Sequence, residues 1–215
     1  MPAEVKICGL TRPVDAEFAD AAGASYLGVI FAGGPRERTP AEARATLSGR
    51  RARKVGVFAD QPASVIANIA ALVGLDVLQL HGASDPDRIA AVRAATGLEV
   101  WAVVRSSTGV LTEHDEELAN AADALLVDAM VPGQLGGRGV TLPWLQLGES
   151  LDAMAFGHRI ILAGGLTAEN VGEAIDYVSP MVVDVSSGVE ASPGIKDQKL
   201  VRAFIDAARA SGASE

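Results

Sequence analysis

The sequence predicts a (β/α)8 barrel, with residues 1–215 forming a single domain. Three observations carry that prediction. Eight short apolar runs recur along the chain, amphipathic stretches lie between them, and eight units in 215 residues leave about 27 residues each, enough for one strand and one helix. A doubly wound open sheet is the competing α/β architecture. Its glycine-rich fingerprint is missing, because the first run continues as KICGLT with no G-x-G-x-x-G.

The runs are VKIC (5–8), YLGVIF (26–31), KVGVFA (54–59), DVLQLH (76–81), EVWAVV (99–104), ALLVDA (124–129), RIILAG (159–164) and MVVDVS (181–186). Most are continuously apolar rather than alternating, the pattern of parallel strands covered on both faces by helices. After the first run, Val14, Phe18, Ala21 and Ala22 recur at helical spacing, and Leu200, Phe204, Ala207 and Ala208 repeat that spacing near the other end. Thr11 is the expected cap of the first helix, with Pro13 in its first turn. Thr167, followed by Asn170, opens another helix after a glycine pair. No linker, low-complexity tract or charge block marks a domain boundary.

Composition narrows the class of function. With 49% hydrophobic and 21% charged residues the chain reads as soluble and globular, neither disordered nor collagenous. Its 18 Lys and Arg against 27 Asp and Glu give a net charge of −9, which argues against nucleic acid or an anionic membrane as partner. A small anionic metabolite can still bind locally. The first residues offer no export signal and no run is long enough to span a bilayer. Cys8 is the only cysteine, so no intrachain disulfide is available and a cytoplasmic location is expected.

Barrel enzymes build their catalytic mouth at the C-terminal ends of the strands. Cys8, Gln79, His81, Arg105, Asp128, Gly164, Gly165, Ser186, Ser187 and Gly188 all fall at or just after those ends, with Arg36 and Arg38 in the loop after the second run. Cys8 has two readings, a small buried hydrophobe or a thiolate serving as base or nucleophile. Asp128 closes an otherwise apolar run, where a carboxylate either caps a loop or donates a proton. Asp184 poses the same question slightly earlier in its strand. The segments LAGGLT (162–167) and VSSGVE (185–190) follow runs seven and eight, where glycines let backbone N–H groups approach a phosphate and a serine hydroxyl or helix dipole adds to the attraction. Arg36 or Arg38 is suited to hold a substrate carboxylate, His81 reads as a hydrogen-bonded rim residue, and the three histidines show no metal-ligand spacing.

Taken together, KICGLT (6–11), GVIFAGGPR (28–36), VGVF (55–58), LQLHG (78–82), LLVDA (125–129), GGRG (136–139), LAGGL (162–166) and VDVSSGVEASPGIKD (183–197) resemble the phosphoribosylanthranilate isomerases of tryptophan biosynthesis. The resemblance implies a metal-free, cofactor-free Amadori rearrangement of N-(5-phosphoribosyl)anthranilate. It also implies Cys8 as general base on the ribose C2 proton, Asp128 as general acid on the ring oxygen, and Arg36 on the anthranilate carboxylate. Gly164, Gly165, Ser187 and Gly188 would then bind the phosphate and Asp184 would belong to the substrate site, while Arg38 becomes a bystander. The expected partner is a small phosphorylated substrate, handled by a monomer or homodimer. Such a pair requires opposite shifts, the acid's pKa raised and the thiol's kept low. Arg138, where the family carries Ser or Thr, and Pro143, where it commonly carries Asp, depart from the pattern. Another sugar-phosphate isomerase, or a silent phosphosugar-binding protein, would share the glycine loops.

Overall fold

A computed structural model describes residues 2–82, 85–128, 143–153 and 159–211. Among them, eight parallel strands close into a barrel in chain order: β1 (Glu4–Ile7), β2 (Tyr26–Ile30), β3 (Arg53–Phe58), β4 (Val77–Leu80), β5 (Glu99–Arg105), β6 (Ala124–Asp128), β7 (Ile160–Ala163) and β8 (Val182–Val185). The predicted architecture and all eight runs are thus observed. Each strand is followed by a helix: α1 (Pro13–Ala22), α2 (Pro40–Leu47), α3 (Ala63–Val73), α4 (Pro86–Thr96), α5 (Glu113–Ala121), α6 (Trp144–Ala153), α7 (Val171–Val178) and α8 (Gln198–Ser211). One element is an addition to the expected pattern. Within VEASPGIKD, β9 (Glu190–Ser192) and β10 (Ile195–Lys196) form a small antiparallel hairpin before α8.

The strand pleat divides the core in two. Val5 and Ile7 of β1 face the helices in the large apolar layer, whereas Tyr26, Val55, Val77, Trp101, Leu126, Ile161 and Val182 fill the barrel interior. At the N-terminal end of the barrel, Glu99 gathers Arg53 (2.7 Å), Arg159 (2.8 Å) and the Trp101 indole N–H (2.6 Å). That charged cluster is a stabilising floor, at the end opposite the catalytic mouth.

Two local expectations need correction. The buried face of α1 is Asp15, Ala16, Ala19 and Ala22, while Val14 is 51% exposed, so the helix is rotated from the Val14, Phe18, Ala21, Ala22 stripe. Small alanines let α1 lie close against the barrel, and Asp15 turns inward because its carboxylate accepts from the Lys196 backbone N–H and pairs with Arg12. Nor does Thr11 cap α1. The cap position is Arg12, whose side chain makes no capping bond, and the Thr11 hydroxyl donates to the Gly194 carbonyl of the hairpin instead. At the other end, Phe204 and Ala208 of α8 are buried as expected, joined by Val201 and Ile205, whereas Leu200 of the expected stripe is exposed. Capping boxes at Thr39–Glu42 and Thr112–Asp115 start α2 and α5. Ahead of α7, the Asn170 side chain accepts from Thr167 N–H (2.7 Å) and donates to the Gly165 carbonyl (3.1 Å), which ties the glycine loop to the helix it precedes.

Candidate active site

A cavity of about 380 Å³ opens at the C-terminal end of the barrel, and its lining includes Cys8, Arg36, Asp128, Gly164, Gly165, Asp184, Ser187 and Gly188. Every residue predicted for catalysis or substrate binding therefore meets in one compartment, together with Gln79 and His81. Arg38 and Arg105 do not line it. The volume suits a small metabolite. Arg138 and most of the loop after β6 lie outside the described residues. Pro143 immediately precedes α6, and its carbonyl accepts from Leu147 N–H (2.9 Å).

Cys8 follows β1 directly and is buried, its backbone N–H donating to the Val185 carbonyl of the neighbouring strand (2.8 Å). Two residues earlier on the same face, Lys6 is fully buried, with its ammonium 2.8 Å from Asp184. The barrel register explains the pair, since Lys6 and Asp184 are lateral partners across β1 and β8. Burial opposes charge on Lys6, but Asp184 and the Cys8 sulfur outweigh it and hold the lysine pKa up. The Cys8 thiol behaves differently from expectation. Burial pushes its pKa up and exceeds the downward pull of Lys6 and Lys196, so the anticipated lowering is not observed. Of the Asp184 carboxylate, Oδ2 is taken by Lys6, while buried Oδ1 has no donor among the described residues.

Arg36 reaches the cavity from the loop after β2, but its Nε and Nη2 are already held by Glu190, at 2.8 and 2.6 Å. Glu190 is itself buried and also accepts from Lys196 (2.9 Å), which in turn donates to the Ser186 carbonyl (3.0 Å). Burial would raise the Glu190 pKa, yet Arg36 and Lys196 hold it below the usual carboxylate range. This network locks the arginine loop to the segment after β8 and leaves the Nη1 edge of Arg36 outside the Glu190 pair. Glu190→Gln is expected to loosen Arg36 and raise KM about tenfold with kcat little changed, as steady-state kinetics will read.

The two glycine loops stand side by side. Gly164 and Gly165 follow β7 with φ of 98° and 64°, a left-handed backbone that side-chain-bearing residues seldom adopt. Gly188 lies in the 3₁₀ turn Ser187–Val189 after β8, so close to the first loop that a Cβ there would sit 1.9 Å from the Leu166 carbonyl oxygen. Gly188→Ala must push the loops apart. It is expected to raise KM for a phosphorylated substrate about tenfold or more and to lower stability by about 1–3 kcal/mol, checked by kinetics and thermal unfolding.

His81, after β4, has its pKa lowered by burial and by Arg105, and its Nδ1 lies 3.5 Å from the Gln79 amide. It is a rim residue that lines the cavity. Lys6, Glu190 and Lys196 do not stand out from sequence, although the first sits within KICGLT and the others within VDVSSGVEASPGIKD. The available signal is pleat spacing, which puts Lys6 on the face of Cys8.

Comparison with known proteins follows the same lines as the geometry. Residues 5–207 match the family model described as N-(5'phosphoribosyl)anthranilate (PRA) isomerase. Among curated proteins, the N-(5'-phosphoribosyl)anthranilate isomerase of Paramagnetospirillum magneticum is 40% identical, over 97% of this chain and 98% of its own. That of Rhodospirillum centenum is 38% identical, over 98% and 100%. Among solved structures, phosphoribosyl anthranilate isomerase from Thermotoga maritima is 33% identical and superposes with a TM-score of 0.85, covering 97% of this chain and 99% of that one. A further structure is of a phosphoribosyl anthranilate isomerase in complex with reduced 1-(o-carboxyphenylamino)-1-deoxyribulose 5-phosphate, at 32% identity and a TM-score of 0.82, again over 97% and 99%.

Proposed function

The chain belongs to the N-(5'-phosphoribosyl)anthranilate isomerase family, enzymes of tryptophan biosynthesis, and we propose that Cys8 and Asp128 divide the chemistry of its Amadori rearrangement between them. The reaction converts N-(5-phosphoribosyl)anthranilate to 1-(2-carboxyphenylamino)-1-deoxyribulose 5-phosphate. The observation that carries the division is that the thiol and the carboxyl open onto one cavity shared with both glycine loops.

In this reading the Asp128 carboxyl gives its proton to the furanose ring oxygen as the C1–O bond breaks, and the anilino nitrogen lone pair completes a Schiff base at C1. The Cys8 thiolate takes the proton from C2, and the electrons left behind form the C1–C2 double bond of an enaminol. Tautomerisation then adds a proton at C1 and removes the hydroxyl proton at C2, which yields the ketose as an isomer of the starting sugar. Backbone N–H groups of Gly164, Gly165, Ser187 and Gly188 hold the phosphate, the Nη1 edge of Arg36 meets the anthranilate carboxylate, and Asp184 Oδ1 accepts from a ribose hydroxyl. With both ends of the ligand anchored, the sugar carbons are held over the two proton-transfer groups.

The reading takes residues 1–215 as one barrel domain acting on a small phosphorylated substrate, as a monomer or homodimer. The net charge of −9 favours such a partner over nucleic acid. A lone thiol that must stay reduced suits the cytoplasm, and no helix among the described residues is long and apolar enough to cross a membrane. Loss of the fluorescence of phosphoribosylanthranilate on adding purified protein, without added metal, tests the activity. No turnover of that substrate, with turnover of a plain pentose phosphate, would replace this reading with a different sugar-phosphate isomerase.

A further inference from the structure

Lys6 is a buried cation that the proton-transfer scheme does not yet use. It lies beneath the site with no exposed surface, and two neighbours account for it: Asp184 at 2.8 Å, and the Cys8 sulfur. The backbone of β2 shows how close the second neighbour is. A Cβ on Gly28 would sit 3.0 Å from Cys8 Sγ and 3.3 Å from Lys6 Cε, so sulfur and lysine stem press on the same point of the barrel wall. For support of the fold alone, an apolar side chain would serve a barrel interior as well or better, because burying an ion pair costs desolvation that its attraction often fails to recover. A buried ammonium beside a group that must become anionic has a different use.

We propose that Lys6 is a positioning residue for the base, supplying the compensating positive charge when Cys8 ionises, while Asp184 anchors its ammonium. The proposal rests on the reading of Cys8 as the general base. Other charged or titratable groups face the sulfur as well: Lys196 from β10, Arg36 from the loop after β2, and, across the cavity, His81 and Asp128. Lys196 and Arg36 are both committed to Glu190, whereas Lys6 shares its point of the barrel wall with the sulfur and exerts the stronger pull on it. Asp184 works in the opposite sense on the thiol, favouring its neutral form.

The opposition in sign supplies the test. Cys8 is the only cysteine, so the rate of alkylation by iodoacetamide against pH reports its ionisation alone, with no substrate present. Burial sets the wild-type midpoint above that of an ordinary thiol. Removing Lys6 alone would strand a buried carboxylate, so the variant to use is Lys6→Met/Asp184→Asn, which deletes both charges together. Its alkylation at a fixed pH below the midpoint is expected to be about tenfold slower, because the thiol then ionises at a higher pH. Asp184→Asn alone removes the charge that disfavours the thiolate and leaves the Cys8 sulfur as the remaining group favouring the Lys6 ammonium, so it is expected to speed alkylation by about the same factor. Circular dichroism of each variant is the check that it is folded. Wild-type alkylation kinetics in the double variant, or changes of the same sign in both variants, as general loosening would give, overturn the proposal. Retention of kcat by Cys8→Ala would instead remove the base reading, a separate outcome of a separate measurement.

Discussion

Cys8→Ala is expected to lower kcat by about 10²- to 10⁴-fold while KM stays within a few fold of wild type, because in the proposed scheme the thiolate acts on C2 only as the transition state forms. Alanine suits the space: the thiol is small, buried and packed beside Gly28, and losing one sulfur from that contact costs about 1 kcal/mol or little more. Unfolding therefore does not explain the loss. The proposed phosphate and carboxylate anchors are untouched, since the glycine loops and Arg36 follow other strands. Steady-state kinetics with a parallel thermal melt check both halves of the expectation.

Asp128→Asn is expected to lower kcat by a similar factor, about 10²- to 10⁴-fold, for a different reason. The amide is nearly isosteric and keeps a hydrogen-bonding group at the end of β6, but it has no acidic proton to give the ring oxygen. The sugar then stays closed, and a competent base at Cys8 has no activated C2–H to attack. If the two groups act in sequence on one ligand, each variant should bind a product analogue about as tightly as wild type. An analogue affinity lost along with kcat would mean that Asp128 acts chiefly in binding.

Much of this site was legible because the barrel turns sequence position into spatial position. Cys8, Asp128, Gly164 and Gly188 are far apart in the chain, yet all lie at or just after strand ends, and closure of the barrel brings every strand end to one mouth. The fold itself was legible because continuously apolar runs are hard to place anywhere but in a sheet covered on both faces. Local detail was less so. The rotation of α1 depends on Asp15 finding partners in Arg12 and the hairpin, and Thr11 is drawn from its capping role to the same hairpin, a contact between residues 183 positions apart. Glu190 and Arg36 are 154 positions apart, and no local pattern couples them. Lys6 is the clearest case. A lysine near a chain end ordinarily reads as solvated, and only the two-residue repeat of the strand marks it as facing the barrel interior with Cys8. The thiol's raised pKa was hidden for a related reason: it is set by how deeply β1 is buried relative to its neighbouring cations, a balance that residue types alone do not express.

The division of labour between thiol and carboxyl is tested most directly by single-turnover rates with substrate carrying deuterium at ribose C2, measured in Cys8→Ser and Asp128→Asn. If Cys8 removes that proton and Asp128 opens the ring, weakening the base makes C–H cleavage the slow step, and Cys8→Ser should show a large primary isotope effect. Weakening the acid makes ring opening slow, and Asp128→Asn should show almost none. The reverse pattern, or wild-type rates in either variant, would contradict the assignment.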